Sequence, residues 1–323
     1  MIRLFQHANY DFLGARRIAY LVTAAVFTAG LISLLARGLN ESVEFTGGTL
    51  IQIRAVDSTV TIARVRQALE AGGFADLELS TFGTDREFVA RAGLRGGGLE
   101  DAEQIGRAVD AALTATLGAD AYSVERVEAI GPKVGAELRS RALIAILLSF
   151  GGTLLYLTFR FEWRFAIAAI VATAHDIGLT IAFISLLDRE VTLVLVAAVL
   201  TIVGYSLNDT IVVFDRVREN LHKYKRDSIA EILNRSVNET LPRTVLTGGT
   251  TLVATLSLLI FGVSVIRDFA AVMTFGIVVG TFSSIFIASP VLLLIERRWP
   301  GEDVRGARAL PERGAAPAPA RAD

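Results

Sequence analysis

The chain has 323 residues, 52% of them hydrophobic and 20% charged, with a formal net charge of −1. That balance gives no electrostatic footing for nucleic-acid binding, and the absence of cysteine excludes disulfides, thiolate metal sites and thiol nucleophiles. Three histidines, His7, His175 and His222, are too few and too scattered for a His-rich metal site. A mean hydropathy of +0.51, together with long uncharged runs, points away from a soluble domain and toward a membrane protein.

Taken in chain order, the first apolar run is Ile18 to Ala36. It is long enough to cross a bilayer and has no A-x-A-like cleavage site, so it reads as a permanent anchor. Five further spans are expected over 142–159, 165–187, 191–214, 244–263 and 269–295. Between the first and second lies a polar insert, Gly38 to Arg141. In it Leu50–Val56 alternates like a strand, Thr61–Ala71 has helical spacing closed by Gly72-Gly73, and Leu77–Phe82 and Glu87–Ala92 read as strands joined by Gly83-Thr84-Asp85-Arg86. Leu99–Leu117 is a second helix and Tyr122–Ile130 a last strand, which gives β-α-β-β-α-β, the ferredoxin-like order. The expected fold is therefore a six-helix polytopic membrane protein with an α+β domain between helices 1 and 2. Its divisions are 1–37, 38–141, 142–298 and a disordered, Ala/Pro-rich tail over 299–323.

Lys and Arg concentrate in alternate loops: Arg3, Arg16 and Arg17 before the first span, Arg160 and Arg164 after the second, and six between Arg216 and Arg235. Arg297 and Arg298 follow the last span, whereas the opposite loops hold only Arg189 and Arg267, each beside an acid. By the positive-inside rule both termini are cytoplasmic and the insert lies outside, on the opposite face of the membrane.

Polar residues inside the spans are the candidates for function. Asp209 stands in Thr201-Ile-Val-Gly-Tyr-Ser-Leu-Asn-Asp-Thr-Ile-Val-Val-Phe214 with apolar sequence on both sides. An ionised carboxylate in hydrocarbon costs several kcal/mol, so such a residue faces the bundle interior and serves transport or proton relay. Asn208 beside it needs a partner of its own. His175-Asp176, mid-way along the third span, form a second cluster; adjacent helical residues point about 100° apart, so either can face Asp209 across a helix contact. Arg243, after Pro242, reads equally as a positive-inside anchor or as a counter-charge for Asp209. Small residues at four-residue spacing, Thr247, Thr251 and Thr255, then Gly276, Gly280 and Ser284, read as close-packing stripes. Phe45-Thr-Gly47-Gly48-Thr49 opens the insert, and its paired glycines suggest a tight turn; no Lys-Ser/Thr follows, as a phosphate loop would require.

Several of these stretches together resemble the SecF family, the smaller membrane subunits of the bacterial SecDF complex and members of the RND superfamily. They are Glu44-Phe-Thr-Gly-Gly-Thr49, Ala174-His-Asp176, the long run Gly204 to Asn220 containing Asn208-Asp209, and Glu239 to Thr251 containing Pro242-Arg243. Glu44 departs from the aspartate common at that place. The resemblance implies a non-enzymatic subunit that uses the proton motive force to promote late steps of protein translocation across the bacterial inner membrane. It places the family's essential fourth-helix acid on Asp209 and the conducting arginine on Arg243, and matches His175 and Asp176 to a family motif. It implies no cofactor beyond the coupling ion, H+ or Na+. The partners implied are a separate SecD subunit, the SecYEG channel, YajC and YidC, an unfolded preprotein and membrane lipid. Two other classes fit parts of the sequence: an RND half-transporter exporting a lipid or drug, and an intramembrane aspartyl protease using Asp176 and Asp209.

Overall fold

The structure, a computed structural model, describes residues 8–74, 77–82, 84–92, 99–262 and 264–299. The expected tail beyond Trp299 lies outside these residues, as do Arg3 and His7.

Six helices are long and apolar enough to cross a membrane: Phe12–Arg37, Lys133–Arg160, Trp163–Leu186, Leu193–Lys223, Ile229–Phe261 and Val265–Arg298. As elements these are α1 (Phe12–Arg37), α5 (Pro132–Arg160), α6 (Trp163–Leu186), α7 (Leu193–Lys223), α8 (Ile229–Phe261) and, for the last span, α9 (Ser264–Ser283), a π-turn (Ser284–Ala288) and α10 (Ser289–Arg298). Three helices run past the apolar stretches. α5 begins at Pro132 rather than at Ala142, through polar turns that carry Lys133, Glu137, Arg139 and Arg141. α7 continues to Lys223, and α8 starts at Ile229 behind a Ser228–Glu231 capping box. Hydropathy finds only the hydrocarbon-embedded part of a helix, so amphipathic extensions packed on one another escape it. Pro242 lies inside α8, as membrane helices tolerate.

The insert forms a four-stranded antiparallel sheet in the order β2-β3-β1-β4. Its elements are α2 (Val43–Thr46), β1 (Gly48–Ala55), α3 (Ile62–Ala71), β2 (Glu78–Phe82), β3 (Thr84–Ala92), α4 (Leu99–Leu117) and β4 (Tyr122–Ile130). Ile51, Ile53 and Phe88 on one face pack with Val65 and Leu69 of α3 and with Val109 and Leu113 of α4. The other face gathers Leu50, Val89 and Val43. β1 is therefore covered on both sides, and only Arg54 along it is exposed. The expected Gly83–Arg86 connection is corrected: β3 already begins at Thr84, which pairs with Phe82, and after a register shift the pairing resumes at Thr81 and Phe88.

At the Phe45-Thr-Gly-Gly turn the backbone of Gly47 has φ 74° and that of Gly48 φ 143°, conformations that favour glycine. Gly135 of α5 packs onto this turn so closely that a Cβ there would sit 2.9 Å from the Phe45 carbonyl oxygen.

In the bundle the last span is the most enclosed and α5 the least. The small-residue stripe of α9 lies against α7: a Cβ on Gly276 would collide with Ile202, and one on Gly280 would come within 3.0 Å of Ser206 Cβ. Gly30 of α1 similarly seats Ala182 of α6. These contacts bring α1, α6, α7 and α9 together by backbone proximity, the packing device available where lipid removes the hydrophobic drive.

Candidate functional site

Asp209 lies next to the midpoint of α7 and is only 3% exposed. Its Oδ1 accepts from the Thr244 hydroxyl of α8 at 3.4 Å, and its Oδ2 is buried with no hydrogen-bond partner among the described residues. Arg243 is exposed on α8; its guanidinium acts on Asp209 through space, with no ion pair or hydrogen bond joining the two. Asn208 is exposed and points off the bundle. The partner that Asn208 needs is not within this bundle, because one helical step of about 100° carries it from the interior to the outer face.

Asp176, near the middle of α6, is 1% exposed and fully engaged. His175 Nδ1 lies 2.8 Å from its Oδ1, and its Oδ2 accepts from Ser206 of α7 and, at 2.6 Å, from Ser283 of α9. The two adjacent residues therefore do bond each other, and Asp176 faces Ser206 rather than Asp209. Ser206 lies one helical turn before Asp209, so the two acids address neighbouring turns of the same helix without touching. With Nδ1 committed to Asp176, His175 Nε2 is buried and without a partner. Ser283 stands at the edge of the π-turn, where an extra residue in the helical repeat re-aims the side chains around it.

Several residues of this arrangement carried no individual signal in the sequence. Ser206 lies in the same run as Asp209, three positions earlier, and the i/i+3 spacing could have flagged it. Thr244 directly follows Arg243. The Tyr205 hydroxyl is buried beside Thr281 and Gly248, one turn before Asp209 on the same helix. Ser283 comes from a helix more than a hundred positions away, and nothing in its neighbourhood announces it.

A second set of contacts ties the insert to α7. Glu44 Oε2 accepts from the backbone N–H of Leu193, the first residue of α7, at 2.5 Å. Val191 N–H donates to the Asn40 carbonyl at 2.7 Å, and Ser42 N–H to the Val191 carbonyl at 3.0 Å. Arg91 of β3 pairs with Glu190 at 2.8 Å. Phe45, Gly47 and Gly48 thus belong to a turn that clamps α5 while its neighbour Glu44 caps α7. At the opposite end of α7, Arg216 Nε and Asn220 Nδ2 both donate to Glu239 Oε2, at 2.6 and 2.7 Å, so the long runs 204–220 and 239–251 meet there.

These features define a multi-pass helical membrane protein with an α+β module between its first two spans and two acids at mid-bundle. The family model described as protein export membrane protein SecD/SecF, C-terminal, matches residues 109–298, and the SecD/SecF GG motif matches residues 32–58. The protein translocase subunit SecF of Gemmatimonas aurantiaca is 48% identical over 316 residues, covering 96% of this chain and 94% of that one. SecF of Magnetococcus marinus is 43% identical over 89% of this chain and 92% of its own. The crystal structure of SecDF, a translocon-associated membrane protein from Thermus, superposes with a TM-score of 0.82 at 38% identity; it matches 92% of this chain and 40% of that chain. SecDF in a super-membrane-facing form gives 0.65 at the same 38% identity, over 90% of this chain and 39% of that one. This chain belongs to the SecF family of protein-export membrane proteins. It spans about two fifths of the SecDF chains.

Proposed function

We propose that this chain works as a translocase subunit in the bacterial inner membrane, where it couples ion flow past Asp209 to movement of the insert and so promotes late protein export. The observation that carries this is Asp209 itself. It is a mid-helix carboxylate with one buried oxygen unpartnered among the described residues, on a helix whose N-terminus is capped by the insert's Glu44. An acid left half-satisfied in a membrane interior is costly as a fixed structural group but suited to gaining and losing a proton. His175, Asp176, Asn208 and Arg243 complete the proposed path. The proton motive force supplies about 2.3 kcal/mol per charge per 100 mV. By the conversion of about 1.4 kcal/mol per tenfold, that shifts a two-state motion nearly fifty-fold. Two SecDF forms that match this chain at equal identity but with TM-scores of 0.82 and 0.65 support a family that changes shape.

The path is completed by a second subunit, a SecD. In support, α7 presents Thr201, Gly204 and Asn208, and α8 presents Arg243, Thr250 and Ser257, as exposed residues on the outer surface. An arginine and an asparagine at membrane depth belong against protein or water rather than lipid. Further contacts with SecYEG, YajC and YidC, and with unfolded preprotein, follow from the same role. The Lys and Arg distribution supports cytoplasmic termini and a periplasmic insert. A proteolytic role finds no support: such a dyad shares a proton between its carboxyl groups, and no hydrogen bond joins Asp176 to Asp209.

The test is preprotein export in vesicles energised by a proton or a sodium gradient, wild type against Asp209→Asn. We expect a proton-dependent component that the variant lacks. An unchanged gradient dependence in the variant would remove Asp209 from the mechanism, and stimulation by sodium alone would replace the coupling ion. Co-purification of SecD with the tagged chain tests the partner.

A further inference from the structure

α5 is held against the molecule at two places. Near its start Gly135 is buried on the Phe45-Thr-Gly-Gly turn, and near its end Leu157 is buried with Phe165 and Phe214. Between these positions, a distance of about 33 Å at 1.5 Å per residue, no side chain of α5 is buried. The helix therefore stands off from α6 and α7 like a bow from its string. The gap contains a cavity of about 250 Å³, walled by Ala142 and Ile146 of α5, Ile181 and Ile184 of α6 and Val196 and Val199 of α7.

Close-packed interiors do not leave such a gap without filling it, because wall atoms facing nothing forfeit their dispersion contacts. The wall is almost wholly apolar, which disfavours water. A single hydrocarbon chain fits, and Leu147, Leu148 and Leu155 of α5, outside the cavity wall, are exposed along the same stretch, as on a surface bathed in lipid. At the mouth stands one ion pair, Arg139 to Glu41 at 3.1 Å, with the Arg139 side chain 60% exposed. It lies among the polar first turns of α5, ahead of the apolar stretch that begins at Ala142. A guanidinium carries five N–H donors, so Arg139 can hold Glu41 and still present donors to a phosphate.

We infer that the groove between α5 and the α6–α7 pair is a lipid site that takes one acyl chain of a glycerophospholipid, with the lipid phosphate against Arg139. The site is independent of Asp209 and of the ion path; it needs only the multi-pass architecture. The lipid completes the packing of α5 against α7, on the stretch of α7 that leads from the Glu44 cap toward Asp209.

The test uses the full chain co-expressed with its partner subunit and reconstituted in nanodiscs of phosphatidylethanolamine and phosphatidylglycerol, doped with a phospholipid carrying a diazirine in its acyl chain. After photolysis, peptide mass spectrometry should find label on the inner wall, at Ile181 and Val196, as strongly as on the outward-facing Leu147. Ala142→Trp, which fills the cavity, should lower wall labelling several-fold and leave Leu147 unchanged. Arg139→Gln should lower wall labelling by the phospholipid but not by a diazirine-bearing fatty alcohol, which has no phosphate. A wall that stays unlabelled in wild type while Leu147 reacts overturns the proposal. So does a wall labelled by a water-soluble diazirine, which makes it an aqueous crevice, or one labelled only when the partner is absent, which makes it a protein contact. The wild-type measurement decides even if Ala142→Trp fails to fold.

Discussion

The two mid-bundle acids lie on adjoining helices at similar depth, yet their surroundings differ. Asp176 receives donors from its own helix, from α7 and from α9, and every one of its lone-pair directions that matters is met inside the chain. Asp209 has one long bond from Thr244 and a buried oxygen with none. A buried charge is tolerated when its neighbours are built to receive it, so Asp176 can act as a bolt through three helices. Asp209 lies on the side where this chain runs out, with Asn208 and Arg243 turned outward beside it. The same residue type is fully braced in one seam and left open in the next, so on the proposed path Asp176 also ties three helices together. What separates them is how many donors the fold brings.

The sharpest way to break this contrast is to remove each carboxylate and compare losses. Asp209→Asn should abolish the gradient-stimulated part of export while changing the stability of the purified complex by less than about 1 kcal/mol, since it removes only one weak bond. Asp176→Ala should differ by adding a large stability loss to any loss on the path. It takes the carboxylate partner from Ser206, Ser283 and the His175 imidazole, with Ser283 left only its longer bond to the Gly280 carbonyl, a cost on the order of 3–5 kcal/mol, and should lower the thermal midpoint in detergent before any transport is measured. Equal stability losses for the two variants would erase the distinction. The glycines of the same seams give a smaller, parallel contrast. Gly280→Ala drives a methyl toward Ser206 Cβ at 3.0 Å and should cost about 1–3 kcal/mol, with Asp176 disturbed through Ser206. A Cβ on Gly204 meets nothing within 4 Å. Gly204→Ala should therefore be neutral or stabilising by up to about 1 kcal/mol in the chain alone, whereas Gly204→Leu should reduce co-purification of the second subunit.

The sequence disclosed the spans because hydrocarbon imposes a length and a composition that leave little ambiguity. It disclosed the order of the insert because strand alternation and helical spacing are both local, and β1, α4 and β4 fall within two residues of their expected positions. Asp209 and Asp176 were visible as isolated costs in apolar runs. Their differing environments were not, because Ser206, Thr244 and Ser283 are unremarkable hydroxyls whose role depends on which helix faces which. The sequence left Arg243 open between an anchor and a counter-charge and gave Asn208 no direction; that both are exposed depends on helix phase relative to the bundle, not on residue type. The π-turn beside Ser283 has no local signature, and neither does the stand-off of α5.

The least costly prediction concerns the joint between the two parts of the molecule. Glu44 supplies a carboxylate to the first N–H of α7, where the helix carries partial positive charge and its terminal donors lack intrahelical partners. Glu44→Ala should cost about 1 kcal/mol, the usual penalty for a lost helix N-cap. Glu44→Gln, which keeps an acceptor but not the charge, should lose about 0.3–1 kcal/mol of that. Glu44→Asp retains the charge on a shorter arm and should fall nearer wild type. Amide hydrogen exchange at Leu193 and the next turn reads the effect directly and should rise in the order Asp, Gln, Ala. The backbone bridge through Asn40, Ser42 and Val191 remains in all three variants, so the insert stays attached. If export falls in the same order while Asp209 is intact, the insert and the acid communicate through the end of α7. If Leu193 exchange is indifferent to all three, the joint is carried by the Val191 bridge and by Arg91–Glu190 instead, and the coupling has to run through the α6–α7 turn.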